Sequence, residues 1–371
     1  AAPAEALRHL EQALELVPRL GGRPAIDLLE RAADAAAAIS DIDRAVAHAE
    51  ASVAAADAAA GTDSEADACA RSRTRERLAR LQIEAGLPAA EAGAAAVAVL
   101  PGAPTSARAQ ALATWARTIM RAEPARADEL LTEAIAVADE VGASAIAADA
   151  LVTRGLRVRR GDVDGDAGQL FAEAIRRAAA DSCGLSSHMR ALRFLAVHLL
   201  DAGKTEEALR AADAGVALGE KAGLAWSSYG LDLRLLRGWT LSALGRWDEV
   251  LQASLDAAYA PTSPGRVLAT QALAVLVARG DPAADGLLDR LRGTGDWWAE
   301  LQLDLCETRL LLQRGQSRAA LEIAERALPS IRHPGETESV LLAARATTSA
   351  SSRFRAGPHR RDASARVSAA I

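Results

Sequence analysis

The stretch DVDGDAGQLFAE, residues 162–173, carries the residue types and spacing of a calcium loop. Asp162, Asp164 and Asp166 alternate and Glu173 stands twelfth, so oxygen ligands fill the first, third, fifth and twelfth positions such a loop uses. Two positions oppose that chemistry. The sixth, which takes Gly for a sharp turn, is Ala167, and the eighth, normally apolar, is Gln169. Calcium loops also come in pairs, and no second one is present. The expectation is a solvated acidic turn before a helix, where Asp complements the positive end of the helix dipole. No metal is expected at Asp162, Asp164, Asp166 or Glu173.

Other reactive residue types are equally unsupported by their spacing. Gly203-Lys204-Thr205 resembles the end of a phosphate loop, but the earlier Gly is missing, since position 198 is His198. The histidines, at positions 9, 48, 188, 198, 333 and 359, form no pair four apart on a helix, as a zinc site would want. Cys183 and His188 are types that could serve as nucleophile and base, but no orienting third group accompanies them in DSCGLSSHMR. Cys69, Cys183 and Cys306 are far apart and odd in number, so neither a disulfide framework nor a zinc knuckle is implied. No enzyme and no cofactor is expected.

The elements that hold these residues are repetitive. GKTEEALRAADAGV from Gly203, GRWDEVLQASLDAA from Gly245 and GQSRAALEIAERAL from Gly315 share one pattern. Each opens on Gly, has a small or apolar residue five places on (Ala208, Val250, Ala320), and a small one seven further (Gly215, Ala257, Ala327). Weaker copies begin at Ser40, Gly86, Ala122 and Gly280, and residues 161–175 are another, with Ala167 and Ala174 seven apart. Consecutive start points are 35 to 46 residues apart. That period predicts antiparallel helix pairs. Gly ends the first helix in a left-handed conformation, and residues seven apart share one face of the second. The pattern resembles tetratricopeptide repeats, with LGRWDEVLQASLDAA and its Trp247 the closest copy. The expected fold is all-α: a right-handed superhelical solenoid of about eight or nine tetratricopeptide-like helix pairs, stabilised by stacking of neighbours.

Composition agrees. Half of the residues are apolar but only 3% are aromatic, which suits closely packed helices better than a sheet. Net charge is −6, so no nucleic-acid surface is expected over the repeats. No apolar run is long enough to span a bilayer and no secretory leader opens the chain, so no membrane is expected and the cytoplasm is the expected location. Residues 1–343 are assigned to the array, which starts inside a repeat and suggests a piece of a longer protein. Residues 344–371 are assigned to a basic, disordered tail, whose positions 351–371 hold five Arg against one Asp.

The remaining candidate for function is a surface. In tetratricopeptide arrays the first helices line the concave face, which takes the ligand. Projection of that register places Arg190, Arg193 and Val197 from one unit beside Asp232, Leu235 and Trp239 from the next. Arg beside Trp suits an acidic or aromatic ligand. The competing expectation is that Trp239 packs between units and the Arg residues are solvated. Trp297 and Trp298 pose the same choice between an exposed anchor and core.

Finally, GEKAGLAWSSYGLDLRLLRGWTLSALGRWDEV, 219–250, resembles the helical-repeat region of large actinobacterial LuxR-type regulators, similar to MalT-type signal-transducing ATPases. The resemblance rests on Gly223-Leu224, Tyr229-Gly230 and the turn from Gly245 to Glu249. It implies a sensor region, binding a protein or peptide or a small-molecule inducer, between a nucleotide switch and a DNA-binding domain. Neither a Walker motif nor a LuxR-type helix-turn-helix is present. The alternative is a stand-alone tetratricopeptide scaffold that binds peptide segments of partner proteins.

Overall fold

A computed structural model of the chain describes residues 3–19, 26–59, 64–256, 260, 262–293 and 297–327. Those residues form seventeen α-helices and no strand. Helix α1 (Pro3–Arg19) precedes eight pairs. They are α2 (Ile26–Ala37) with α3 (Ile42–Ala59), α4 (Glu65–Glu84) with α5 (Ala90–Ala98), α6 (Ser106–Ile119) with α7 (Pro124–Glu140), and α8 (Ser144–Arg159) with α9 (Ala167–Ala179). Then follow α10 (Leu185–Asp201) with α11 (Thr205–Lys221), α12 (Ser228–Ala243) with α13 (Trp247–Asp256), α14 (Thr262–Arg279) with α15 (Ala283–Leu291), and α16 (Trp297–Gln313) with α17 (Ser317–Ala327). Every start point read from the sequence falls in the turn inside a pair. The array is an α-solenoid.

The turns explain why the first helices stop where they do. At Gly203, φ is +73°. Its N–H donates to Leu200 O at 3.0 Å, and the Lys204 N–H reaches back to Leu199 O at 2.9 Å. These two bonds satisfy carbonyls that the helix end would otherwise orphan, and Gly adopts the left-handed angle without a Cβ clash. Gly245 repeats the geometry, with bonds to Ser242 O and Leu241 O. Ser40 makes the same turn at φ +59° without being Gly. The Ala122 copy closes differently: the Glu123 N–H donates to Ile119 O at 2.8 Å and Pro124 opens α7.

Small residues then let the helices approach. Ala208 and Gly215 on α11 are buried, as are Ala167 with Ala174 on α9 and Ala320 with Ala327 on α17. The second helices α3, α5, α7, α9, α11, α15 and α17 pack on the first helix before them, and most of these on the one after as well. The first helices also pack on one another, α4 on α6, α6 on α8, α8 on α10 and, later, α14 on α16. Around α8 and α9 the core is Ala148, Leu151, Val152, Phe171, Ala174 and Ala191.

The chain divides into two units, Ala1–Thr240 and Leu241–Ile371. The second has its own core, built on Leu273, Val277, Leu288, Leu303, Cys306 and Leu310. There Arg292 draws α15 to α16 by donating to Asp304 at 2.6 Å and to Glu307. The half-buried Trp247 donates from its indole to Ser242 O at 3.1 Å, tying α13 to the turn before it. The expected basic tail, 344–371, lies outside the described residues. Among the described residues no helix is long and apolar enough to cross a membrane.

One contact tests this packing. A Cβ on Gly155 would stand 2.6 Å from Phe171 Cε1, and Phe171 is fully buried, stacked on Phe194 at 6.3 Å. Gly155→Ala should therefore lower stability by about 1–3 kcal/mol, although Ala is the better helix former. Urea unfolding checks this; a higher midpoint for the variant would show that the ring yields.

Candidate functional site

Polar residues on the first helices of the Ala1–Thr240 unit recur at helical spacing. Glu76, Arg80 and Glu84 stand four apart on α4; Gln110, Thr114 and Arg117 follow on α6, and Asp149 with Thr153 on α8. Residues three or four apart share a helix face, and these helices pack side by side, so the stripes meet as one wall. Arg190 and Arg193 continue it on α10, and Ser228, Tyr229 and Asp232 on α12.

Two buried bonded groups anchor the wall. Arg190, 1% exposed, donates through Nη1 to Asp149 Oδ1 at 2.8 Å and to the Asp149 carbonyl at 2.9 Å, and through Nη2 to Thr153 Oγ1 at 3.0 Å. Its Nε is buried without a partner. Glu76 Oε1 accepts from Thr114 Oγ1 at 2.7 Å and Gln110 Nε2 at 3.1 Å. A buried charge is tolerated only when it is compensated: Arg190 is paired through its Nη atoms with Asp149, and Glu76 is hydrogen-bonded by Thr114 and Gln110.

Longer-range bonds close the wall on itself. Arg117 Nη2 donates to Tyr229 Oη at 3.1 Å, and Ser228 Oγ donates to Glu84 Oε2 at 2.9 Å. Ser40 Oγ donates to the Trp226 carbonyl at 2.7 Å. The first pair is thereby joined to the connection that leads into the sixth, and the first turn of α12 sits against α4 and α6. Burial pushes the Asp149 carboxyl up, but Arg190, Arg117 and Arg80 outweigh it and hold it below the ordinary aspartate range. Glu76, acting against burial and helped by Glu84, raises the guanidinium of Arg80 above its ordinary value. Burial opposes the charge on Arg117, yet Tyr229, Asp149 and Glu84 raise it overall.

The six residues projected onto the concave face are distributed unevenly. Arg193 and Asp232 do meet, Nε to Oδ2 at 2.8 Å, with the guanidinium 4.3 Å from the Phe194 ring centre. The expectation of an open, solvated Arg190 is corrected: Asp149 and Thr153 draw it inside. Leu235 is buried and Val197 half-buried against Ala196 and Ala212. Trp239 is 41% exposed. The side chains of Trp297 and Trp298 lie outside the described residues. Sequence reasoning missed Glu76, Arg80, Glu84, Arg117, Asp149 and Tyr229. Their signal was available as polar residues at helical spacing on the first helices, but on α4, which also carries Arg71, Arg73, Arg75 and Arg77, nothing showed which stripe faced inward.

The acidic turn has local uses. Asp166 caps α9, accepting from the Gln169 N–H at 3.0 Å. Glu173 turns to Arg177 at 2.7 Å and to Arg176, which hold its carboxyl below the ordinary range. Asp162 pairs with Arg160 at 3.7 Å, and Asp164 is exposed. Among the described residues no three His, Cys, Asp or Glu side chains gather as metal ligands. Cys183 is exposed, with its N–H on Asp181 Oδ1 at 2.8 Å, while burial lowers the pKa of His188.

No protein-family model matches the chain, and no curated protein matches it. Among solved structures it is similar to a "Circular tandem repeat protein with novel repeat topology and enhanced subunit contact surfaces", at 15% identity and a TM-score of 0.20. That match spans 99% of this chain and 88% of the other. So low a TM-score adds nothing to the architecture, which rests on the helix pairs themselves.

Three outcomes are expected. Asp149→Ala strands a buried guanidinium and should destabilise the protein by about 3–5 kcal/mol, with much of the loss restored by adding Arg190→Met. Because folding depresses the Asp149 pKa, the unfolded chain binds protons first in acid. The pair's contribution is therefore full above about pH 4 and lost as pH falls through the folded value. Denaturant melts of both variants across pH check this; equal acid sensitivity of wild type and the double variant would remove Asp149 from the account. Calcium titrated into the protein should give no heat, and heat abolished by Asp164→Ala would restore the metal reading.

Proposed function

We propose that this chain is the non-enzymatic sensing and interaction region of a LuxR-type transcriptional regulator. A tandem array of helix pairs is a protein-interaction scaffold: neighbouring units offer one continuous wall of side chains, and function follows from what that wall holds. The observation that carries the finer reading is the placement of the motif residues. Gly223 (φ +72°) and Gly245 (φ +73°) make left-handed turns around α11 and α12. Gly230 permits a close approach, since a Cβ there would meet Leu224 O at 2.3 Å, and Tyr229 reaches Arg117. The segment that resembles the regulators thus touches the inner wall.

In this reading the partner is a protein or peptide segment, or a small-molecule inducer, bound on the wall of first helices. No nucleic acid is bound through this region. Binding acts by favouring one arrangement of the helix pairs over another, because a ligand shifts an equilibrium only by its difference in affinity for the two states.

Sequencing the DNA on both sides of the coding region tests the assignment. A nucleotide-binding frame upstream and a helix-turn-helix frame downstream are expected. Ordinary start and stop signals with neither frame nearby would favour the free-standing scaffold.

A further inference from the structure

The inner wall of the Ala1–Thr240 unit is covered by the chain itself. From the connection after α11 into the first turn of α12, residues 224–230 run as Leu-Ala-Trp-Ser-Ser-Tyr-Gly. Three of them reach parts of the chain 112 to 186 residues away: the Trp226 carbonyl accepts from Ser40, Ser228 donates to Glu84, and Tyr229 accepts from Arg117. The segment is braced from its own side. Arg234 stacks on the Trp226 ring at 4.5 Å, donates to the Ala225 carbonyl at 3.3 Å and pairs with Glu220 at 2.7 Å. Gly230 allows the tight return, with its N–H on Ser227 Oγ at 3.2 Å.

Three features distinguish these ties from ordinary core packing. They are side-chain hydrogen bonds to half-buried groups, so water can replace each of them at small net loss. The groups it bonds, Glu84 and Arg117, are charged and half-buried, and Arg80, one turn before Glu84 on the same face of α4, has no hydrogen-bond acceptor among the described residues. Leu224 and Tyr229 also pack against the Met189, Leu192 and Leu233 cluster between α10 and α12, but the larger apolar clusters of the unit lie between successive helix pairs and contain no residue of the segment.

We propose that residues 224–230 are a releasable latch that occupies the inner wall and joins the first pair to the sixth. Release uncovers Arg80, Glu84 and Arg117 together and frees the pairs to change their stacking. What can displace the latch follows from the bonds it makes: an occupant must offer oxygen acceptors to Arg117 and Arg80 and a donor to Glu84. The proposal rests on the reading of this wall as the binding face and supplies its regulation.

Amide hydrogen exchange on the intact chain, followed through rising urea, tests the latch. In the wild type, amides 224–231 and those of Ser40 and Asp41 should exchange through an opening that precedes the global unfolding of α8 and α10. Ser228→Ala with Tyr229→Phe should speed those amides about tenfold while leaving α8 and α10 unchanged. Exchange of latch and core together in the wild type overturns the proposal, as do unchanged rates in a folded double variant. Should the double variant not fold, the wild-type urea series decides. Rigid exchange would remove the latch and leave the regulator assignment standing, whereas flanking DNA without regulator frames would do the reverse.

Discussion

The fold depends on a first helix that stops sharply enough for its partner to return against it. A residue in the left-handed region after the first helix supplies that stop, at Gly86, Gly161, Gly203, Gly245, Gly280, Gly315 and, without Gly, at Ser40. The angle redirects the chain while two backbone bonds keep the helix end satisfied. With the turn set, small residues on the second helix decide how near the first can lie. Gly155 and Phe171 show the same bargain within one pair: a missing Cβ on one helix makes room for a ring from the other.

Side-by-side packing of the first helices has an electrostatic consequence. Their inward stripes carry Glu76, Arg80, Glu84, Arg117, Asp149 and Arg190, and such charges cannot be buried singly. The structure resolves this by pairing across helices, Arg190 to Asp149 from α10 to α8. Glu84 and Arg117 are instead met by Ser228 and Tyr229, which belong to a distant part of the chain. The wall that would receive a partner is therefore a polar surface already hydrogen-bonded to its own chain. Any partner on this wall would have to exchange one set of bonds for another, which favours selectivity over tight binding.

The acidic stretch at 162–173 has the oxygen atoms that the end of a helix asks for. A longer turn after Gly161 brings three Asp residues before α9, and Asp is favoured there because it caps and complements the helix N-terminus. Asp166 serves as that cap, and Glu173, one turn and a half into the helix, is taken by the arginines that follow it. Helix-end chemistry and calcium chemistry ask for the same oxygen atoms; only the convergence of those atoms tells them apart.

Period and turn chemistry are local properties, so the sequence by itself determined the helix pairs, the positions of their turns and the small residues at their contacts. Gly at a fixed distance before an Ala or Gly on the same face of the next helix needs no knowledge of the rest of the chain. The inner wall was only partly legible. The register that placed Arg193 beside Asp232 is a neighbour-to-neighbour relation and could be projected. That Arg190 turns inside to Asp149 could not, because it depends on the small rotation between stacked pairs. Nor could the contacts of Ser40 with Trp226 or Arg117 with Tyr229, which accumulate that rotation over three to five units. Those long-range meetings, and with them the covering of the wall, were decided by the tertiary structure alone: small angular steps add along an array, and no local sequence pattern records their sum.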